Sequence, residues 1–136
     1  MDLYMEKHLT HPPLAAELAD ASNVFMYCMV GSEIAGYFKL KSGASNDAPK
    51  GVESIELCRL YVIKEHQNKG LGQAMLDYCF SFAQQRGINT MWLGVWEHNE
   101  GAKRLYTRNS FMQYGSHDFV LGTDVQTDYL MMKQLK

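Results

Sequence analysis

Between Gln67 and Gly72 the chain reads QNKGLG, with an apolar run before it and apolar residues at helical spacing after it. Glycines at 70 and 72 let the backbone come close to a ligand. The first amides of a helix starting there, from Leu71, Gly72 and Gln73, would point outward at the positive end of its dipole. Lys69 adds a positive charge beside Asn68. This combination suits a bound anion, a diphosphate above all. The same glycines also fit a tight turn without a ligand, and spacing alone leaves both readings open. It does disfavour two nucleotide sites. There is no G-x-x-x-x-G-K-[ST] string, and the third position of a dinucleotide fingerprint beginning at Gly70 is Met75.

The other chemistry-bearing side chains are more scattered. His98 and His117 have no cysteine or carboxylate at metal-ligand spacing, so no metal is expected. Cys28, Cys58 and Cys79 form no C-x-x-C pair and sit in apolar runs, where a thiol acts as a small hydrophobe; a reduced, cytoplasmic setting is expected. Trp92 and Trp96 stand four apart in a strand-like run, which puts them on one face and predicts that both fill the core.

The elements that must position these residues follow from periodicity. PPLAAELAD, residues 12–20, predicts a short helix. VFMYCMV at 24–30 and the run 34–40, separated by Gly31-Ser32, predict a hairpin, and the Gly, Ser, Asn, Asp and Pro of 41–52 predict a loop. SIELCRLYVI at 54–63 is apolar on both faces, as a central strand is. Leu71, Met75, Tyr78 and Phe82 define a helix ended by Gly87. MWLGVW at 91–96 predicts a buried strand, Asn99 a cap for a helix carrying Ala102, Leu105 and Tyr106, and two strands near 111–121 and 126–134 close the chain.

With 136 residues the chain is expected to form a single domain over 1–136. A net charge of -2 gives no global attraction to nucleic acid or anionic lipid. No apolar stretch reaches the roughly 20 residues that span a bilayer, and the first 20 residues hold no apolar signal core. Neither nucleic acid nor membrane is expected as a partner.

VIKEHQNKGLGQAML resembles the acyl-CoA pyrophosphate loop of the GNAT superfamily of N-acetyltransferases, whose pattern [Q/R]-x-x-G-x-[G/A] is met by Gln67, Gly70 and Gly72. NEGAKRLYTRNSF, from Asn99 to Phe111, resembles the N-x-x-A-x-x-x-Y-x-x-x-G-F segment that follows one strand later in that superfamily. The tail GSHDFVLGTDVQTDYLMMKQL is similar to the closing strands of bacterial members related to polyamine acetyltransferases. The resemblance implies an α/β (α+β) fold with a mixed, mostly antiparallel sheet, a splayed central strand pair and flanking helices. It implies acetyl-CoA as co-substrate, no metal, and direct transfer of the acetyl group to a primary amine, such as a polyamine. Protein lysines or N-termini, or a CoA-binding module without catalysis, are the alternatives.

By the same resemblance, backbone groups of Leu60, Tyr61 and Val62 would hold the pantetheine and acetyl carbonyl. Amides of Gln67, Asn68, Lys69, Gly70, Leu71, Gly72 and Gln73 would hold the diphosphate, and Asn99 and Lys103 would contact the rest of the coenzyme. Tyr106 matches the tyrosine whose hydroxyl protonates the departing sulfur; the residue type alone fits core packing equally well. Glu56 stands where some members carry the general base, and Glu53 is a further candidate for a cationic acceptor. Ser110 replaces the glycine before Phe111, and Asn109 is expected to take the left-handed conformation in its stead. The superfamily opens with a strand and a helix that this N-terminus does not visibly supply. The first strand is therefore expected to be missing, the domain N-terminally shortened, and the edge of the 24–30 strand covered by the N-terminal segment or a second subunit of a homodimer.

Overall fold

The run Asn23–Val30 is apolar on both faces, and the fold uses both: Phe25, Met26, Tyr27 and Cys28 are all buried in one strand. The computed structural model describes residues 3–7, 23–43 and 45–135, with side chains from Asn23 onward. Its elements are strands β1 (Leu3–Lys7), β2 (Asn23–Val30), β3 (Glu33–Ser42) and β4 (Ile55–Val62), helix α1 (Leu71–Gln85), strand β5 (Thr90–Trp96), helix α2 (Glu100–Arg108) and strands β6 (Met112–Leu121) and β7 (Asp124–Gln134). A 3-10 turn, Lys64–His66, follows β4. The helix expected at 12–20 lies outside the described residues.

The chain divides into two compact units, Met1–Gly43 with Leu57–Phe82, and Ala44–Glu56 with Ala83–Lys136. In the first, the strands run in the order β1-β2-β3-β4. Gly31, at φ 60, makes the tight turn of the β2–β3 hairpin. A bulge between Cys28 and Met29 leaves Ala35 unopposed, because Cys28 faces Gly36 and Met29 faces Ile34. The Ala35 carbonyl accepts from the Ile63 amide at 2.7 Å and so ties the bulge to the end of β4. The buried stripe of α1, formed by Leu71, Met75, Leu76, Cys79 and Phe82, follows helical spacing. The strand expected to be missing is present: Leu3–Lys7 pairs antiparallel with β2, from Leu3↔Val30 to Lys7↔Met26. Of the two covers expected for that edge, the chain's own N-terminal segment is the one found.

In the second unit β5 pairs antiparallel with β7, and β7 with β6. The start of β4 runs parallel to β5 over Ile55↔Met91 and Glu56↔Trp92. Met91, Leu93, Val95, Leu130 and Met131 supply its core. Helix α2 lies on the Tyr129–Met131 side, where Lys103 Nζ sits 5.4 Å from the Tyr129 ring centre and Lys133 Nζ donates to the Asn109 carbonyl at 2.7 Å. The sheet is mixed and mostly antiparallel, as expected. No described helix is long and apolar enough to cross a membrane.

Helix α2 starts where the sequence places it, with Asn99 Oδ1 accepting from the Ala102 amide at 3.2 Å. Removing that acceptor leaves a helical amide without a side-chain partner. Asn99→Ala should therefore lower the unfolding free energy by about 1 kcal/mol, read from the urea midpoint; an unchanged midpoint would count against the cap.

Candidate functional site

In the first unit, the last residues of β4 lead directly into the glycine-containing loop. The 3-10 turn is closed by the His66 amide donating to the Ile63 carbonyl at 2.8 Å and the Gln67 amide to the Lys64 carbonyl at 3.2 Å. Gln67 then reaches back, its Nε2 donating to the Val62 carbonyl at 2.9 Å. That bond fixes the loop to the strand end and occupies the Val62 carbonyl. Two residues then take left-handed conformations, Asn68 at φ 63 and Gly70 at φ 78. Glycine adopts that conformation without strain, and Asn68 is a second bend, at a residue type that tolerates it.

Helix α1 begins at once, with the Ala74 amide donating to the Gly70 carbonyl at 3.1 Å. By helix geometry the amides of Leu71 and Gly72 have no intrahelical acceptor. The first turn carries no acidic residue, so the positive end of the dipole is not neutralised within the helix. Asn68, Lys69 and Gly70 are exposed, and a side chain built on Gly70 would meet nothing within 4 Å. Outward amides, an uncompensated helix terminus, a nearby lysine and open space fit a diphosphate. Leu60, Tyr61 and Val62 adjoin this loop on β4, and Tyr61 is half exposed, its ring 5.8 Å from that of Tyr37. His66 turns inward, with Nε2 3.7 Å from Glu33 and Nδ1 buried without a hydrogen-bond partner among the described residues.

The remaining sequence candidates belong to the second unit. Asn99 caps α2, and Lys103 is engaged by Glu100 at 2.9 Å, a contact that lowers the Glu100 pKa. Tyr106 is 8% exposed and packs edge-on against Phe111, with ring centres 5.5 Å apart. The Phe111 amide donates to the Tyr106 carbonyl at 3.0 Å, closing the helix. The left-handed residue in that turn is Ser110, at φ 72, while Asn109 stays at φ -94, which corrects the expectation that Asn109 would replace the glycine. Asn109 instead caps with its side chain, Nδ2 donating to the Leu105 carbonyl at 2.8 Å.

Glu56 lies at the start of β4, partly buried and opposite Trp92. Trp92 is in the core, but Trp96 is 45% exposed, so the expectation of two core tryptophans holds for one of them. Trp96 instead donates from Nε1 to Gln126 Oε1 at 2.9 Å and meets His98 edge-on. Glu53 is exposed.

A further group of polar residues gathers here that the sequence reading did not single out. The Tyr114 hydroxyl donates to the Asp47 carbonyl at 2.6 Å, and His117 Nδ1 lies 3.3 Å from Asp47 Oδ2. Burial, and then the charges of Asp47 and Glu56, push the Tyr114 phenol up to about 12. Burial also raises the Asp128 carboxyl, with His117 opposing the shift and Asp47 adding to it. His117 and His98 each have one carboxylate neighbour, His98 having Glu97 at 3.2 Å. Among the described residues no three His, Cys, Asp or Glu side chains converge as a metal would require. The strand glycines Gly94 and Gly115 were a readable signal, since an isolated glycine within a strand pattern marks a bulge or a close approach.

Comparison with known proteins places these parts in a family. Residues 2–111 match the model of the acetyltransferase (GNAT) family. The chain is 34% identical over 135 residues to the N-acetyltransferase of the pepI 3′ region of Lactobacillus delbrueckii subsp. lactis, covering 99% of this chain and 78% of that protein. A GNAT-family acetyltransferase from Elizabethkingia anophelis, solved with acetyl-CoA bound, superposes with a TM-score of 0.73 at 17% identity over 97% of both chains. A GNAT-family protein from Desulfovibrio desulfuricans gives a TM-score of 0.76 at 14% identity over 99% of this chain and 100% of that one. At those identities the two structures speak for the fold alone.

Proposed function

Because the chain belongs to the GNAT family of acetyltransferases, we propose that it transfers the acetyl group of acetyl-CoA to a primary amine, the acceptor being a small amine such as a polyamine. The observation that carries this reading is the loop after β4. Left-handed Asn68 and Gly70 aim it outward, and α1 opens on free amides with no acidic residue in its first turn. Amides from Asn68 to Gln73 and the Lys69 ammonium receive the diphosphate, the Gln67 amide being engaged by the Lys64 carbonyl, and backbone groups of Leu60, Tyr61 and Val62 receive the pantetheine. Asn99 and Lys103 contact the rest of the coenzyme.

Direct transfer requires a neutral amine, a polarised thioester carbonyl and a proton for the leaving sulfur. In this reading Glu56 takes the proton of the acceptor ammonium, directly or through water. The freed lone pair attacks the carbonyl carbon, the carbon–sulfur bond breaks, the Tyr106 hydroxyl gives its proton to the departing thiolate, and the nitrogen releases its second proton, which through water restores the Tyr106 hydroxyl. The products are the acetylamide and free coenzyme A.

Calorimetric titration with acetyl-CoA, followed by an amine panel read through thiol release, tests the proposal. Gly70→Val, which forces a β-branched residue into a left-handed conformation costing roughly 1–2 kcal/mol, should weaken coenzyme binding about tenfold or more. The absence of any association with the wild-type protein would remove the proposal. Binding without thiol release under any amine would leave a coenzyme-binding module instead.

A further inference from the structure

Three tyrosines line up across the first unit, on the face of its strands turned away from α1. Phe38 meets Tyr78 of α1 with ring centres 5.9 Å apart, and a side chain on Gly36 would lie 3.3 Å from Met75 Sδ of the same helix. Gly36 and Phe38 therefore look toward α1, and Tyr37 between them looks the other way, because successive strand residues alternate. Tyr27 stands directly opposite Tyr37 on β2, with ring centres 6.4 Å apart at 65°. Tyr61 comes from β4, on the other side of β3, and meets Tyr37 at 5.8 Å and 48°.

Exposure grows along this row. Tyr27 is 6% exposed, Tyr37 is half-buried and Tyr61 is 48% exposed. Burial, and then the nearness of Tyr37, hold the Tyr27 phenol above its usual range, so the inner end of the row is uncharged at neutral pH. Each ring rests on the one behind it, in the tilted and edge-on geometries that aromatic pairs prefer. The outermost ring is braced from behind while much of its surface meets water. Such a ring offers contact area at little cost in conformational entropy, since a tyrosine side chain has few torsions to fix.

Its place in the fold decides what can cover it. In the reading above, the coenzyme diphosphate sits at the N-terminus of α1 and the pantetheine on the backbone of Leu60, Tyr61 and Val62. The coenzyme therefore comes to the end of β4 from the α1 side. The opposite side of that strand end is left for the amine, and the Tyr61 ring projects there. A hydrocarbon group laid on the ring removes apolar surface of both from water. Excluding water beside the nitrogen also favours the uncharged amine, the form that attacks the thioester.

We propose that Tyr61, braced by Tyr37 and Tyr27, is the wall against which the carbon chain next to the acceptor's reacting nitrogen lies, selecting amines with a hydrocarbon flank over amines with an oxygenated one. The methylenes of a polyamine satisfy this wall; the hydroxyl-bearing carbons of an amino sugar do not. The inference rests on the acetyltransferase reading above and adds to it the side chain that chooses the acceptor class.

The test compares hexylamine with 2-(2-aminoethoxy)ethanol, a chain of the same length in which two carbons are replaced by oxygen. The wild-type protein is expected to favour hexylamine about tenfold in kcat/KM, the effect of losing apolar contact at two chain positions. Tyr61→Ala should bring that ratio below about twofold, by raising KM for hexylamine more than by lowering kcat. Tyr61→Phe should keep the ratio, since the ring and not the hydroxyl makes the contact. Equal kcat/KM for the two amines in the wild type, a ratio unmoved by Tyr61→Ala, or thiol release with other amines but with neither of these two overturns the inference and leaves the acetyltransferase reading standing. No thiol release with any amine overturns both.

Discussion

Replacing Gly36 with alanine is expected to be the most destabilising single methyl addition in the first unit. Its φ is not left-handed, so the constraint is space and not backbone conformation. A Cβ on Gly36 would sit 2.3 Å from the Tyr61 carbonyl oxygen, 3.2 Å from Val62 Cα and 3.3 Å from Met75 Sδ. The methionine sulfur can yield, but the two backbone atoms belong to a paired strand. Relief requires moving the end of β4, which is also anchored by the Ile63 amide on the Ala35 carbonyl. Overpacking of this kind costs roughly 1–3 kcal/mol and occasionally more, and a backbone obstacle belongs at the upper end. A fall in Tm on the order of 10 °C is expected in calorimetry. The strand end that must shift is the one assigned to the pantetheine, so the fraction that stays folded should also bind acetyl-CoA more weakly. A Tm within a degree or two of the wild type would mean that β3 and β4 do not approach as described.

Tyr106→Phe is expected to have the largest effect on turnover. The ring is buried and meets Phe111 edge-on, and phenylalanine preserves both features, so the fold should hold. What is lost is the hydroxyl proton. A positioned general acid contributes typically 10²–10⁴-fold, so kcat should drop by at least about a hundredfold while the calorimetric affinity for acetyl-CoA stays close to wild type. A kcat within twofold of the wild type would reduce Tyr106 to a packing residue. Far-ultraviolet circular dichroism and thermal melting separate that outcome from a loss of structure.

The order of elements was legible because each rests on local chemistry. Gly31-Ser32 between two apolar runs, Asn99 before an amphipathic segment and Gly87 after one are turn and cap signals that act over a few residues, and each stands where it was expected. The glycine-containing loop proposed for the diphosphate was legible as a loop for the same reason, being continuous in sequence from Gln67 into α1. The first strand was not. LYMEK is short and mixed in polarity, and only pairing with β2 makes it a strand. Ser110 misled because its left-handed turn is imposed by closure of the helix onto Phe111, which outweighs the milder preference of Asn109.

By itself the sequence determined the family and singled out the loop, tyrosine and glutamate proposed for coenzyme binding and catalysis, because these are sets of residues at fixed spacing along one chain. Only the tertiary structure decided that Trp96 faces out and that Leu130 lies across both Gly94 and Gly115. It alone decided that Asp47, Tyr114, His117 and Asp128, drawn from a loop and two strands, meet on the face shared with Glu56. Strand register and the bulge between Gln113 and Gly115 set those meetings, and register is fixed by long-range hydrogen bonding that no local pattern encodes.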